Sequence, residues 1–161
     1  MTTLILILHV VAALLLLGPV TVAVSTFHVR AREAHNGNDL ARGSVRTLFT
    51  ITNTYGLISL IVPLLGVGLL LSNMSYLREG RFHASILLSV IAWGILFFLI
   101  VPRQKKMMAA LGLSDDDDDV PSEKHAGEAT IENWDKAVSQ LSMFGGIFSA
   151  LWVIVAILMV I

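Results

Sequence analysis

Residues 3–27, 48–71, 83–101 and 141–161 contain no Asp, Glu, Lys or Arg. A helix needs about 20 mostly apolar residues to cross the hydrocarbon core of a bilayer. All four stretches meet that length. Lipid offers no hydrogen bonds to an open backbone, so each stretch has to close its own hydrogen bonds as a helix. The expected fold is all-α: a bundle of four transmembrane helices in one integral membrane domain, 1–161. The first stretch carries no basic residues ahead of it, is too long for a signal-peptide core and has no small-residue cleavage motif after it, so it reads as a retained helix.

Charge sets the expected orientation. The segment 28–47 holds Arg30, Arg32, Arg42 and Arg46, and the segment 102–140 holds Arg103, Lys105, Lys106, Lys124 and Lys136. The connection between the second and third stretches has only Arg78 and Arg81. The positive-inside rule then puts 28–47 and 102–140 in the cytoplasm and both termini outside. Charged residues make up only 14% of the chain. A soluble domain carries about a quarter. With a net charge of −1 there is no footprint for nucleic acid. The chain has no cysteine, which removes disulfides, zinc–thiolate sites, iron–sulfur clusters, thioether-linked haem and thiol nucleophiles.

Helices in lipid associate through small residues and buried hydrogen bonds. Ser142, Gly146 and Ala150 recur every four residues and mark a packing face, or a face for a partner. Gly66 and Gly68 follow Pro63 in PLLGVGLLL, and Pro63 is expected to kink its helix. Gly68 with Ser72, and Ser85 with Ser89, are further pairs at helical spacing. Thr21 and Ser25 are placed to bond back to a carbonyl one turn earlier.

The segment between the third and fourth stretches differs from the rest. RQKKMMAALGL reads as an interfacial helix, with Arg103, Lys105 and Lys106 at the anionic leaflet in contact with lipid or a partner, and Gly112 as its stop. Asp115 to Asp119 form a continuous acidic run that should remain solvated and extended. It lacks the spacing and the glycine of a calcium loop. Thr130 is expected to cap a short helix, IENWDKAVSQL, that leads into the last stretch, with Trp134 at interfacial depth.

No hydrolase elbow, phosphate loop, dinucleotide fingerprint or zinc-protease motif is present. Intramembrane carboxylates and bases, the usual parts of a proton or ion pathway, are missing from the four stretches. What remains is histidine. His9 lies about 9 Å into the first stretch and His83 opens the third, on the same side of the membrane. Imidazole ligates haem iron and copper, and Met1 and Met74 could add soft ligands for Cu(I). The alternative is a neutral His9 that hydrogen-bonds a serine, a threonine or a carbonyl of a neighbouring helix.

HVVAALLLLGPVTVAV, with an early Leu-His and a following glycine, resembles a group of small bacterial four-helix membrane proteins of unknown function. Their second helix has a run similar to Pro63, Gly66 and Gly68. That resemblance implies a multi-pass protein of the bacterial plasma membrane. More distantly, the first helix is similar to those of the copper-resistance protein CopD and the haem-dependent protoporphyrinogen oxidase HemJ, which implies haem b or copper at His9. In size, external termini and acidic cytoplasmic loop the chain also resembles accessory subunits of actinobacterial respiratory supercomplexes, in which a cytochrome bcc complex joins a terminal oxidase. The resulting expectation is a non-catalytic subunit with lipids and other integral membrane subunits as partners and no cofactor. A haem- or copper-binding protein is the alternative.

Overall fold

The computed structural model describes residues 2–72, 75, 78–113 and 130–160, with no strand among them. Met1, Met74, His125 and the Asp115–Asp119 run lie outside the described residues. Four helices are long and apolar enough to cross a membrane: Thr3–His35, Asp39–Ser72, Gly80–Ala110 and Trp134–Val160. Each runs past the stretch expected from the sequence. The expected 28–47 loop is therefore mostly helix.

The first helix, α1, spans Thr2–His35. Its 34 residues reach about 51 Å at 1.5 Å per residue, well beyond the ~30 Å hydrocarbon core. The extra turns are built from Arg, Ala and Glu, all good helix formers. Arg30 pairs with Glu33 at 2.7 Å, and Arg32 and His35 sit in the last turn, where the helix dipole favours cations. The helix ends at Gly37, whose φ of 93° is left-handed. The Asn38 amide reaches back to the Glu33 carbonyl and the Gly37 amide to the Ala34 carbonyl, which satisfies the open end. The Asn38 side chain then accepts from the Ala41 amide and starts α2, Asp39–Ile58.

Pro63 acts four residues upstream of itself. It has no N–H for the Ser59 carbonyl, and its ring crowds that group. The helix breaks at Ser59 and Leu60, the Ser59 carbonyl takes the Val62 amide at 3.0 Å instead, and α3 restarts over Ile61–Ser72. The third membrane helix solves the same problem differently. α4, Gly80–Gly94, widens into one π-helical segment, Ile95–Ile100, and continues as α5, Val101–Ala110. The widening lies just before Pro102, and the Val101 amide bonds back five residues to the Leu96 carbonyl. Thus 103–110 is helical as expected, but it continues the third membrane helix. It ends at Gly112, with a left-handed φ of 66°.

The last helix, α6, spans Trp134–Val160. Its cap is Asn133, not Thr130: the Asn133 side chain accepts from the Lys136 amide at 2.9 Å. A carbonyl oxygen two positions ahead of Asp135 fits the first turn better than the hydroxyl of Thr130, which stands outside the helix.

α1 packs on α2, α3 and α6, α4 packs chiefly on α6, and α5 packs on α2. Four contacts tie the charged ends together. Arg32 pairs with Asp135 at 2.7 Å, His35 stacks on Trp134 at 4.1 Å, Arg42 caps the Leu111 carbonyl at 2.7 Å, and Arg103 lies over the Phe144 ring at 4.6 Å. The core gathers in this half, around Phe27, Leu96, Ile100, Met107, Leu141 and Phe148. In the other half little is buried. Among the described residues, none of α1 before Leu17 is buried, α3 buries only Val62, and α6 beyond Phe148 buries only Val155.

Candidate functional site

The helix break in α2–α3 is hydrogen-bonded from two other helices, through Ser59 and through Val62. Ser59 is fully buried there, and its hydroxyl donates to the Gly56 carbonyl at 2.6 Å. The Trp93 indole N–H of α4 donates to the same hydroxyl at 3.1 Å. Trp93 meets Trp152 of α6 edge-on at 4.9 Å, and Trp152 meets Phe148 in the same manner at 6.2 Å. The serine and three aromatic rings thereby join α2, α4 and α6 at the level of the break.

His9 holds the break from the other side. Its Nδ1 lies 2.9 Å from the Val62 carbonyl, so α1 is hydrogen-bonded to the first turn of α3. A carbonyl only accepts, which assigns the proton to Nδ1 and leaves Nε2 as the acceptor of the ring. Gly66, one turn beyond Val62, provides the room: a Cβ there would stand 3.3 Å from the His9 ring carbon Cε1. Gly68 faces the same helix, with Ile5 at 4.0 Å from its would-be Cβ. Both glycines of the PLLGVGLLL run therefore sit on the α1–α3 contact.

His83 is exposed, and its Nδ1 turns to the Glu79 carbonyl of its own chain segment at 3.3 Å. His9 and His83 thus hydrogen-bond to different segments. Among the described residues, no group of three or more His, Cys, Asp or Glu is gathered closely enough to hold a metal ion.

The small residues of α6 divide between two sides of the helix. Ser142, Gly146 and Ala150 all face outward, and a Cβ on Gly146 would meet nothing within 4 Å among the described residues. The contact with α1 runs through Gly145, whose Cβ would stand 3.2 Å from Val24 Cγ1 and 3.4 Å from the Val24 carbonyl. Ser149, one turn on, is 3.3 Å from Ser25. Thr21 does bond back to the Leu17 carbonyl at 2.8 Å, as expected, whereas Ser25 reaches across to α6. Arg103 is half-buried and bonds to the Leu99 carbonyl, while Lys105 and Lys106 are exposed.

Two groups escaped the sequence reading. Trp93 and Ser59 are 34 residues apart, and nothing in their local sequence announces the bond. Gln104 lies beside the basic residues but is fully buried, with both amide atoms unpartnered among the described residues.

Fold and site together define a multi-pass membrane protein of four helices, one of them broken and fastened at the break. Comparison with known protein families, with curated proteins and with solved structures returns no match.

Proposed function

We propose that this chain is a non-catalytic membrane subunit that docks on a larger assembly in the plasma membrane, with both termini outside and the charged end in the cytoplasm. The observation that carries the reading is the unequal packing of the bundle. The charged half has a continuous core, while in the other half α3 lies chiefly on α1 and α4 chiefly on α6. Leu64, Val67 and Leu71 of α3 and Ile154 and Ile157 of α6 all face outward there. Helices in lipid gain from close packing rather than from burial away from water, so faces left open in one half are faces that a neighbouring helix can cover. The first assembly to test is the cytochrome bcc–oxidase supercomplex suggested by the resemblance in size and charge layout.

A second reading rests on His9. A metal-ligating histidine commonly donates its other ring N–H to a backbone carbonyl, as the His9 Nδ1 does to Val62. Haem b or copper on Nε2 would use that orientation. Extraction in mild detergent separates the readings. Co-purification with other integral membrane subunits and no visible absorption supports the docking role. A Soret band that disappears in His9→Ala, in a protein that runs alone, supports the second and overturns the first.

A further inference from the structure

At the charged end, α1 and α6 enclose an open groove of about 650 Å³. Its apolar wall is Val29, Val138 and Met143, its charged rim is Arg32 and Asp135, and His28, Ser139 and Ser142 complete the lining. The groove straddles the boundary between apolar and charged sequence on both helices. On α1 the last long apolar run ends at Phe27 and the first charge is Arg30, and on α6 the last charge is Lys136 before an apolar run that continues to the end of the helix. Phospholipid headgroups occupy that depth.

The rim has three properties that fit such a ligand. Arg32 and Asp135 are paired at 2.7 Å, yet their side chains are 58% and 79% exposed. An exposed pair is held weakly and opens at little cost. The His28 Nδ1 is buried without a partner among the described residues, so the ring can meet a ligand only through Nε2. The neighbouring charges are engaged elsewhere or turned to solvent: Arg30 pairs with Glu33, His35 stacks on Trp134, and Lys136 is exposed.

We infer that this groove binds the headgroup of a phospholipid with a primary ammonium. Arg32 takes the phosphate with His28 beside it, Asp135 takes the ammonium, and Val29, Val138 and Met143 lie along the glycerol and the first methylenes. A guanidinium matches phosphate oxygens with two parallel N–H donors. An ammonium has three donors for a carboxylate. A choline headgroup has none to offer Asp135, and a glycerol headgroup brings a net negative charge that Asp135 repels. The site does not depend on whether the chain docks on a larger assembly.

The test is lipid retention by the detergent-purified protein, read by native mass spectrometry against phosphatidylethanolamine, phosphatidylcholine and phosphatidylglycerol. The ethanolamine lipid should be retained roughly tenfold better than either of the others, the size of one charge-assisted hydrogen bond. Asp135→Asn should abolish its advantage over phosphatidylcholine, and Arg32→Gln should lower retention of all three. Both positions are exposed, so the variants should keep the helical spectrum of the parent. Equal retention of the three lipids, or a preference that survives both substitutions, would overturn the assignment. So would displacement by free phosphoethanolamine at the same concentration as the lipid, which would make the ligand a soluble one.

Discussion

Replacing Gly145 by leucine tests the register of the bundle. Its Cβ would stand 3.2 Å from Val24 Cγ1 and 3.4 Å from the Val24 carbonyl oxygen. A valine methyl can turn aside, but a backbone carbonyl in mid-helix moves only with its helix. Alanine therefore forces a shift of a few tenths of an ångström and should cost about 1 kcal/mol, the low end of overpacking. Leucine adds three more carbons in the same direction. It has to part α1 from α6, stretch the Ser25–Ser149 contact and loosen the buried Phe148, for about 3 kcal/mol. Gly146 is the built-in control, because a Cβ there meets nothing within 4 Å among the described residues. Leucine at 146 should be neutral, or stabilising by a few tenths of a kcal/mol from helix propensity. Unfolding in mixed detergent micelles, followed by helical circular dichroism, measures both. Gly145→Leu should shift the equilibrium more than a hundredfold, since about 1.4 kcal/mol is tenfold. Equal destabilisation by the two leucines, or a silent Gly145→Leu, would refute the register.

Four further substitutions probe the polar groups. Ser59→Ala strands the buried Trp93 N–H and should cost about 1–3 kcal/mol, whereas Trp93→Phe leaves Ser59 bonded to Gly56 and should cost less from hydrogen bonding; a double-mutant cycle in the same assay should show their coupling. His9→Leu removes one interhelical hydrogen bond in the membrane and should cost about 0.6 kcal/mol, so a loss several times larger would point to a role beyond holding α3. Gln104→Leu replaces a buried amide, unpartnered among the described residues, by an apolar side chain of similar length and should raise stability by about 1–2 kcal/mol; a loss would show that the amide has a partner.

The helices themselves were legible because four apolar runs without charge admit almost no other structure in lipid. Their ends were not, because Arg, Ala and Glu past Phe27 extend a helix as readily as they form a polar connection. Pro63 announced a kink, but its position follows from the carbonyl four residues upstream, so the break falls at Ser59. Pro102 has the same chemistry, and only the backbone shows that it is absorbed by a widened turn. On α6 two adjacent glycines, Gly145 and Gly146, lie on different sides of the helix. Spacing of small residues favours Ser142, Gly146 and Ala150, yet a packing face also needs large neighbours, and the buried Leu141 and Phe148 stand one turn to either side of Gly145. The hydrogen bond to His9 was anticipated as one alternative, but its acceptor, Val62, depends on how α1 and α3 cross.

The proposed docking role requires the open half of the bundle to be covered in the membrane. A photo-crosslinking residue at Leu64, Val67 or Leu71, with Ile147 in the packed half as comparison, measures this in native membranes. Docking predicts discrete protein adducts from the α3 positions and only lipid adducts from 147. Lipid adducts alone from all four positions, in a chain that extracts as a single 17.5 kDa protein, would contradict it.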